Sequence, residues 1–448
     1  MKKWGSKVRT LSPALSFVAL GLGFAVAAWA GAEDTFFLRN VDVYPVAGPA
    51  IKSGAVRVED GKIAEVGARI TPPKGIRIVD GKGLRVYPGM IDSGTQLGLS
   101  EISDLRVTVD TGELGVFMPQ LRALVAVNPE SEHFPVVRAN GITSVVTFPA
   151  SGGGGGAPAE RQIIAGQAAV IHSAGWTWEE MEVKRSAAIH LIFPQMPRNL
   201  AGNNLAGNNL AGANFTDAKR AYDQQIQRLT EFFDNARRYR DAKAAGGPSF
   251  RIDLKLDAMI PVLDGKVPVA VSAARERSIR DAIQFAEKQK IRMVLLQPRE
   301  LEKVSAELKA RNIPVVLGRT FQLPENEDDP YDSSFTLPGE ALKAGLKFAF
   351  GTFDNEFVRD LPYEAAAAVA FGLPYEEALK SMTIHAAQIW GVSDQIGSIE
   401  KGKWADLMLA TGDPLETTTE VKALYIKGRE VDLSNRQTRL YEKYLGRK

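Results

Sequence analysis

From residue 268 onward the chain alternates short apolar strands with amphipathic helices, and this alternation restricts the fold more than any other feature. Residues 268–271 read as a strand. Residues 275–290 read as a helix whose inner face is Ile279, Ala282, Ile283 and Ala286, at helical spacing. A strand over 293–296 follows, then a helix over 300–311 with Leu301, Val304 and Leu308 inward. The pattern continues with a strand over 314–317, a short helix near 339–343 and a strand over 347–350. Two helices, 363–371 and 375–384, end it. Repeated strand–helix units imply a parallel sheet, here closed into a barrel. Any active site then lies on the loops after the C-terminal ends of the strands.

The two ends of the chain read differently. Val56-Arg57-Val58 alternates, Glu59-Asp60-Gly61-Lys62 supplies a turn, and an apolar run returns from Ile63 to Val66. An Asp-Gly pair between apolar runs is a strong hairpin signal. Near the C-terminus, Ala405-Asp406-Leu407-Met408-Leu409 reads as one strand. Residues 423–426 and 429–431 form a second hairpin around Lys427-Gly428. Strand-rich segments at both ends predict one small composite β-sandwich with the barrel inserted between its halves. The expected organisation is a leader over 1–30, sandwich over 31–87, barrel over 88–392, and sandwich with tail over 393–448.

The leader has a basic start (Lys2, Lys3, Lys7, Arg9), an apolar run over about 14–28 and a small-residue end at Ala28-Trp29-Ala30. This is the pattern of a cleavable signal peptide, so a periplasmic or secreted protein without a membrane span is expected after cleavage. Without those four cations, 51 basic residues face 53 acidic ones, a net −2. Such a balance gives no electrostatic reason to expect nucleic acid. The chain has no cysteine, which excludes disulfides, thiolate metal sites and a cysteine nucleophile.

Two segments interrupt the pattern. Five glycines over 152–156 follow a strand-like 144–148 run; no Lys-Ser/Thr comes after them, so a barrel loop is expected rather than a phosphate cradle. Over 200–215 the chain carries three near-copies of Leu-Ala-Gly-Asn-Asn, too few to stack as a solenoid and read as a polar loop. Thr216 or Asp217 is then expected to cap a helix with Tyr222, Ile226, Leu229, Phe233 and Ala236 on one face.

Val86-Tyr87-Pro88-Gly89-Met90-Ile91-Asp92 resembles the segment that leads into the first barrel strand of the amidohydrolase superfamily. Ala344-Gly345-Leu346-Lys347-Phe348-Ala349-Phe350-Gly351-Thr352 is similar to its last barrel strand. Leu361-Pro362-Tyr363-Glu364-Ala365-Ala366, Gly372-Leu373-Pro374-Tyr375-Glu376-Glu377-Ala378-Leu379 and Thr383-Ile384-His385-Ala386-Ala387 follow in that family's order. Ile396-Gly397-Ser398-Ile399-Glu400-Lys401-Gly402-Lys403-Trp404-Ala405-Asp406-Leu407 completes the match. The match is similar to the imidazolonepropionase-like branch, over most of residues 36–433. The resemblance implies a distorted (β/α)₈ TIM barrel with a composite β-sandwich. It also implies hydrolysis of non-peptide C–N bonds, often in cyclic amides, by water bound to one or two divalent metals such as zinc.

The ligands that the resemblance implies are a His-x-His pair after strand one, histidines after strands five and six, and an aspartate after strand eight. Here Gly94 and Gln96 stand for the pair, Ser272 and Gln297 for the two histidines and Phe353 for the aspartate. Asp354 follows one residue late, where strand alternation aims a side chain elsewhere. The four histidines, His133, His172, His190 and His385, are dispersed and read as packed or surface residues. No family-type metal is therefore expected. Asp354 is the one catalytic candidate, and it could work with Asp92 as an acid–base pair at the barrel mouth. Glu101, Arg106, Asp110 and Glu113 are expected to line a pocket or to cap a subunit contact; the acidic run over 325–329 reads as a solvated loop. No Gly-x-Ser-x-Gly elbow is present. Three functions compete: an amidohydrolase by descent that still hydrolyses cyclic amides or dipeptide-like substrates with a metal, a non-catalytic small-molecule binder, and a structural partner; with the ligands missing, the hydrolase is expected to be inactive or much altered. The partner would be a second copy or an active paralogue carrying the His-x-His pair.

Overall fold

The computed structural model describes residues 34–150, 162–196, 215–247, 250–324 and 328–447. The leader, the five-glycine run, the Leu-Ala-Gly-Asn-Asn repeats and Glu325 to Glu327 lie outside the described residues.

The N-terminal part supplies β1 (Phe36–Val43), β2 (Ile51–Glu59), β3 (Lys62–Gly67), β4 (Arg77–Asp80) and β5 (Arg85–Pro88). Asp60 and Gly61 both take positive φ, 50° and 74°, between β2 and β3. That is the two-residue hairpin geometry for which Asp-Gly is suited.

The chain then enters a second sheet at β6 (Met90–Thr95). Short α1 (Ala123–Ala126) and α2 (His133–Ala139) lead to β7 (Ile142–Thr147), and β8 (Ile164–His172), α3 (Trp178–Met181) and β9 (Glu182–Ile192) follow. Next come α4 (Phe215–Ala245), α5 (Leu254–Leu263), β10 (Val269–Ser272), α6 (Glu276–Gln289), β11 (Met293–Leu296), α7 (Ser305–Ala310) and β12 (Val315–Leu317). The barrel region ends with α8 (Ser333–Lys343), β13 (Phe348–Phe350), α9 (Leu361–Ala370), α10 (Tyr375–Ser381) and α11 (Ile384–Trp390).

Strands β6 to β13 form one eight-stranded sheet in sequence order, curled into a nearly closed barrel. Pairing is parallel from β9 to β13 and between β6 and β7. It departs from the expected parallel sheet at β8, which runs antiparallel to both β7 and β9. A reversed strand needs no helical crossover, and only four-residue α3 separates β8 from β9.

Small and branched side chains fill the barrel interior, among them Ile91, Val146, Ala188, Ala270, Val294 and Ala349. Ala387 and Trp390 of α11 join them. The helices pack outside against the other face, with Ile279, Ile283, Phe233 and Leu308 in that layer.

Several elements differ from expectation at their ends. α7 begins at Ser305 because 302–304 form turns, although Leu301 and Val304 are buried as expected. α8 begins six residues earlier than the sequence suggested and carries Pro338 inside. The helix expected over 375–384 breaks at Met382 and Thr383 into α10 and α11. α4 includes Thr216 and Asp217 in its first turn instead of being capped by them.

Strands β14 (Leu407–Ala410), β15 (Val421–Ile426) and β16 (Arg429–Glu430) complete the first sheet, and α12 (Arg436–Leu445) follows. β14 pairs with β5, so both ends of the chain share one eight-stranded sheet. It is a single hydrogen-bonded sheet, branched where β1 pairs β4 with one half and β5 with the other. Its own core contains Phe36, Leu38, Val56, Val58, Leu407 and Tyr425. The turns at Gly61 and Gly428 meet back to back: a methyl group on Gly428 would lie 2.7 Å from the Gly61 Cα. His172 of β8 meets Asp406 at 2.9 Å, a buried contact between barrel and terminal sheet.

Gly89 joins β5 to β6, and its N–H donates to the Asp406 carbonyl. A methyl group there would lie 2.1 Å from Thr143 Oγ1 of β7. Gly89→Ala is therefore expected to cost about 3 kcal/mol through overpacking. In urea titrations this cost shrinks in a Thr143→Gly background; an equal cost in both backgrounds would remove the contact as its cause.

Candidate functional site

The candidate site lies where the C-terminal ends of the barrel strands meet. Among the described residues no ladder joins β6 to β13; loop contacts close the gap between them. The Phe353 N–H donates to the Gly94 carbonyl at 2.6 Å, and Gln96 N–H donates to the Asp354 carbonyl at 3.0 Å. Beneath these, fully buried Asp92 accepts from Gly94 N–H at 2.9 Å, from Thr352 N–H at 3.2 Å and from the Thr352 hydroxyl at 2.6 Å. Burial pushes the Asp92 carboxyl up to about 7, and its three donors, which favour the ionised form, offset only part of that.

Phe353 sits on the seam side of the mouth. Its φ is +53°, a left-handed conformation unusual for an aromatic residue. Its ring lies against two glycines. A methyl group on Gly94 would be 2.7 Å from the ring, and one on Gly351 would be 2.9 Å from it. Phe148, just past β7, neighbours it with ring centroids 6.5 Å apart.

Opposite the seam, His190 of β9 and Ser272 of β10 meet. The register pairs His190 with Ala270 and Ile192 with Ser272, which puts both side chains on the barrel-interior face. His190 Nδ1 lies 2.6 Å from the Pro149 carbonyl, which only accepts, so Nδ1 carries the proton. Nε2 is then the acceptor for the Ser272 hydroxyl, at 2.9 Å. Burial lowers the His190 pKa, so the imidazole is neutral. The Phe148 ring meets it edge-on at 5.3 Å.

The other residues singled out in the sequence are placed as follows. Gln297 is exposed just past β11, at φ +52°. Gln96 is half-buried past β6. The Asp354 carboxylate accepts from the N–H groups of Glu356 and Phe357, capping a 3₁₀ turn, while Asp92 serves the donors beneath it. The two aspartates thus hold separate donor sets. Glu101 accepts from Glu132 N–H, and its carbonyl meets His133 Nε2 at 2.9 Å. His385 sits in α11. A cleft of about 480 Å³ lies between the loops after β10, β11 and β12, lined by Arg275, Arg299, Gln322 and Asp332.

The sequence reading missed the meeting of His190 with Ser272. Its one available signal was a histidine near the end of the apolar run Ala187-Ala188-Ile189-His190-Leu191-Ile192, which marks a strand end at a barrel mouth. Glu364 was also missed. It is buried, accepts from Thr320 N–H, the Thr320 hydroxyl and Phe321 N–H, and pairs with Arg319 at 3.0 Å. It thereby fixes the loop after β12.

Because Asp92 titrates near 7 in the folded chain and near 3.8 when unfolded, the folded protein holds an extra proton between those values. Its contribution is fully present below about pH 4 and is lost as pH rises through 7, a span on the order of 4 kcal/mol. Asp92→Asn keeps an acceptor and adds no charge. In denaturant titrations from pH 4 to 8, the parent is expected to lose stability relative to this variant as pH rises. A constant difference would show that Asp92 does not titrate there.

Residues 273–431 match the model of the Amidohydrolase family. An amidohydrolase from Thermotoga maritima MSB8 is similar across 89% of this chain and 99% of its own, at 27% identity and TM-score 0.74. Molinate hydrolase shares the fold over 90% of this chain and 95% of its own, at 16% identity and TM-score 0.52. Amidohydrolase tasK of Hapsidospora irregularis is 22% identical over 406 residues, 84% of this chain and 39% of that protein. The chain thus spans about two fifths of that curated relative's length. This chain therefore resembles the Amidohydrolase family over residues 273–431 and is similar to an amidohydrolase of known structure along most of its length.

Proposed function

We propose that this chain belongs to the imidazolonepropionase-like branch and that its barrel mouth no longer performs metal-assisted hydrolysis of C–N bonds. The observation that carries this reading is the Phe353 ring seated against Gly94 and Gly351. A divalent metal of the family type needs three or four converging N or O donors, and it acts by lowering the pKa of bound water toward about 7. The residues at the aligned positions do not fit such an ion. Gly94 offers no donor, and the ring leaves no room for a larger residue. The Ser272 hydroxyl is taken by His190, and Oδ1 of Asp354 holds two backbone N–H groups, which leaves Oδ2 as a single carboxylate oxygen. Gln96 and Gln297 remain, and a neutral carboxamide oxygen is a weak ligand beside an imidazole.

The mouth then serves a small organic molecule without a resident metal. The leader's basic, apolar and small-residue parts support export to the periplasm or medium.

Elemental analysis of the mature protein, purified without chelators, is expected to find transition metal far below one ion per chain. One equivalent held through gel filtration would overturn the reading. A second test uses the glycine. Gly94→Ala is expected to destabilise the chain by about 2 kcal/mol, and Phe353→Ala to relieve that cost in the double variant. Additive effects would mean that the ring does not occupy the Gly94 site.

A further inference from the structure

We propose that Ser272 and His190 form a nucleophile–base pair at the barrel mouth, which cleaves carboxylic esters or activated amides through an acyl-serine. The proposal rests on the metal-free reading of this mouth and adds a chemistry to it. A serine hydroxyl becomes a competent nucleophile when an adjacent neutral base takes its proton and a third group holds that base in the right tautomer. All three parts are present. The Ser272 hydroxyl donates to His190 Nε2 at 2.9 Å. The Pro149 carbonyl, 2.6 Å from Nδ1, fixes the proton on the far nitrogen. The Phe148 ring braces the imidazole edge-on.

Position supports the same reading. Ser272 is the last residue of β10 and its one incompletely buried residue, so the hydroxyl lies where barrel chemistry takes place. His190, by contrast, is held within the wall, 8% exposed. Burial keeps its imidazole neutral and therefore able to accept a proton near pH 7.

The steps balance. Ser272 Oγ bonds to the acyl carbon while its proton passes to His190 Nε2. The bond to the leaving alcohol or amine breaks, and His190 returns that proton to the departing oxygen or nitrogen. Water then attacks the acyl-serine, giving a proton to His190. Ser272 recovers that proton as the carboxylic acid leaves.

The test uses the full mature chain and a biotinylated alkyl fluorophosphonate, followed by peptide mapping, with metal content measured on the same sample. A single adduct on the Ser272 peptide is expected, absent in Ser272→Ala. His190→Gln should slow labelling by about 100-fold or more while its thermal unfolding stays cooperative. If that variant unfolds, Phe148→Leu, which loosens the brace but leaves both hydroxyl and imidazole, should slow labelling instead. A folded parent left unlabelled, or labelled equally in Ser272→Ala, overturns the pair. Stoichiometric metal in the sample overturns the metal-free reading, whichever way the labelling goes.

Discussion

A barrel has to join its first strand to its last, and in this chain the join rests on one buried carboxylate. β6 and β13 are bridged by Asp92, whose two oxygens gather Gly94 N–H, Thr352 N–H and the Thr352 hydroxyl. Each of those donors would otherwise be a buried polar group without a partner, at a cost of about 1–3 kcal/mol. The carboxylate therefore sets the positions of Gly94 and Thr352. Phe353 follows Thr352 directly, so the same contacts deliver its ring to Gly94. The seam and the contents of the mouth are one arrangement.

That dependence ties the small residues of the mouth to the ring they face. Phe353 is tolerated only because Gly94 and Gly351 have no side chains. Across the barrel, the Ser272 hydroxyl satisfies the neighbouring imidazole. Apolar packing thus stands on one side of the mouth and a hydrogen-bond chain on the other.

Much of this was legible in the sequence, for definite reasons. The strand–helix alternation from residue 268 follows simple periodicity, and β11 falls on 293–296 as expected. The Asp-Gly and Lys-Gly hairpins are local turn chemistry, and all four turn residues take the positive φ that such turns require. The reversed β8 was not legible. Its Ile-Ala-Gly-Gln-Ala-Ala-Val-Ile-His run is buried throughout, and strand direction leaves no mark on a wholly buried run. The capping role of Asp354 was equally hidden, because it depends on where the chain turns after β13. The meeting of His190 and Ser272, 82 residues apart, depends on register between β9 and β10, which no local pattern encodes.

The contrast between Asp92 and His190 shows how one barrel end can hold two buried ionisable groups with different uses. Burial disfavours charge on both, raising the carboxyl and lowering the imidazole. Asp92 meets donors only, all on the seam, so its lone pairs are consumed in holding the backbone. His190 meets one acceptor at Nδ1 and one hydroxyl at Nε2, and the hydroxyl belongs to a residue at the solvent-facing end of its strand. A group whose partners are all backbone or fully buried is structural. A neutral base whose one exchangeable partner faces the opening has a proton path to whatever enters. By that distinction, the chemistry of this mouth lies on the β9–β10 side of the barrel, away from the seam that closes it.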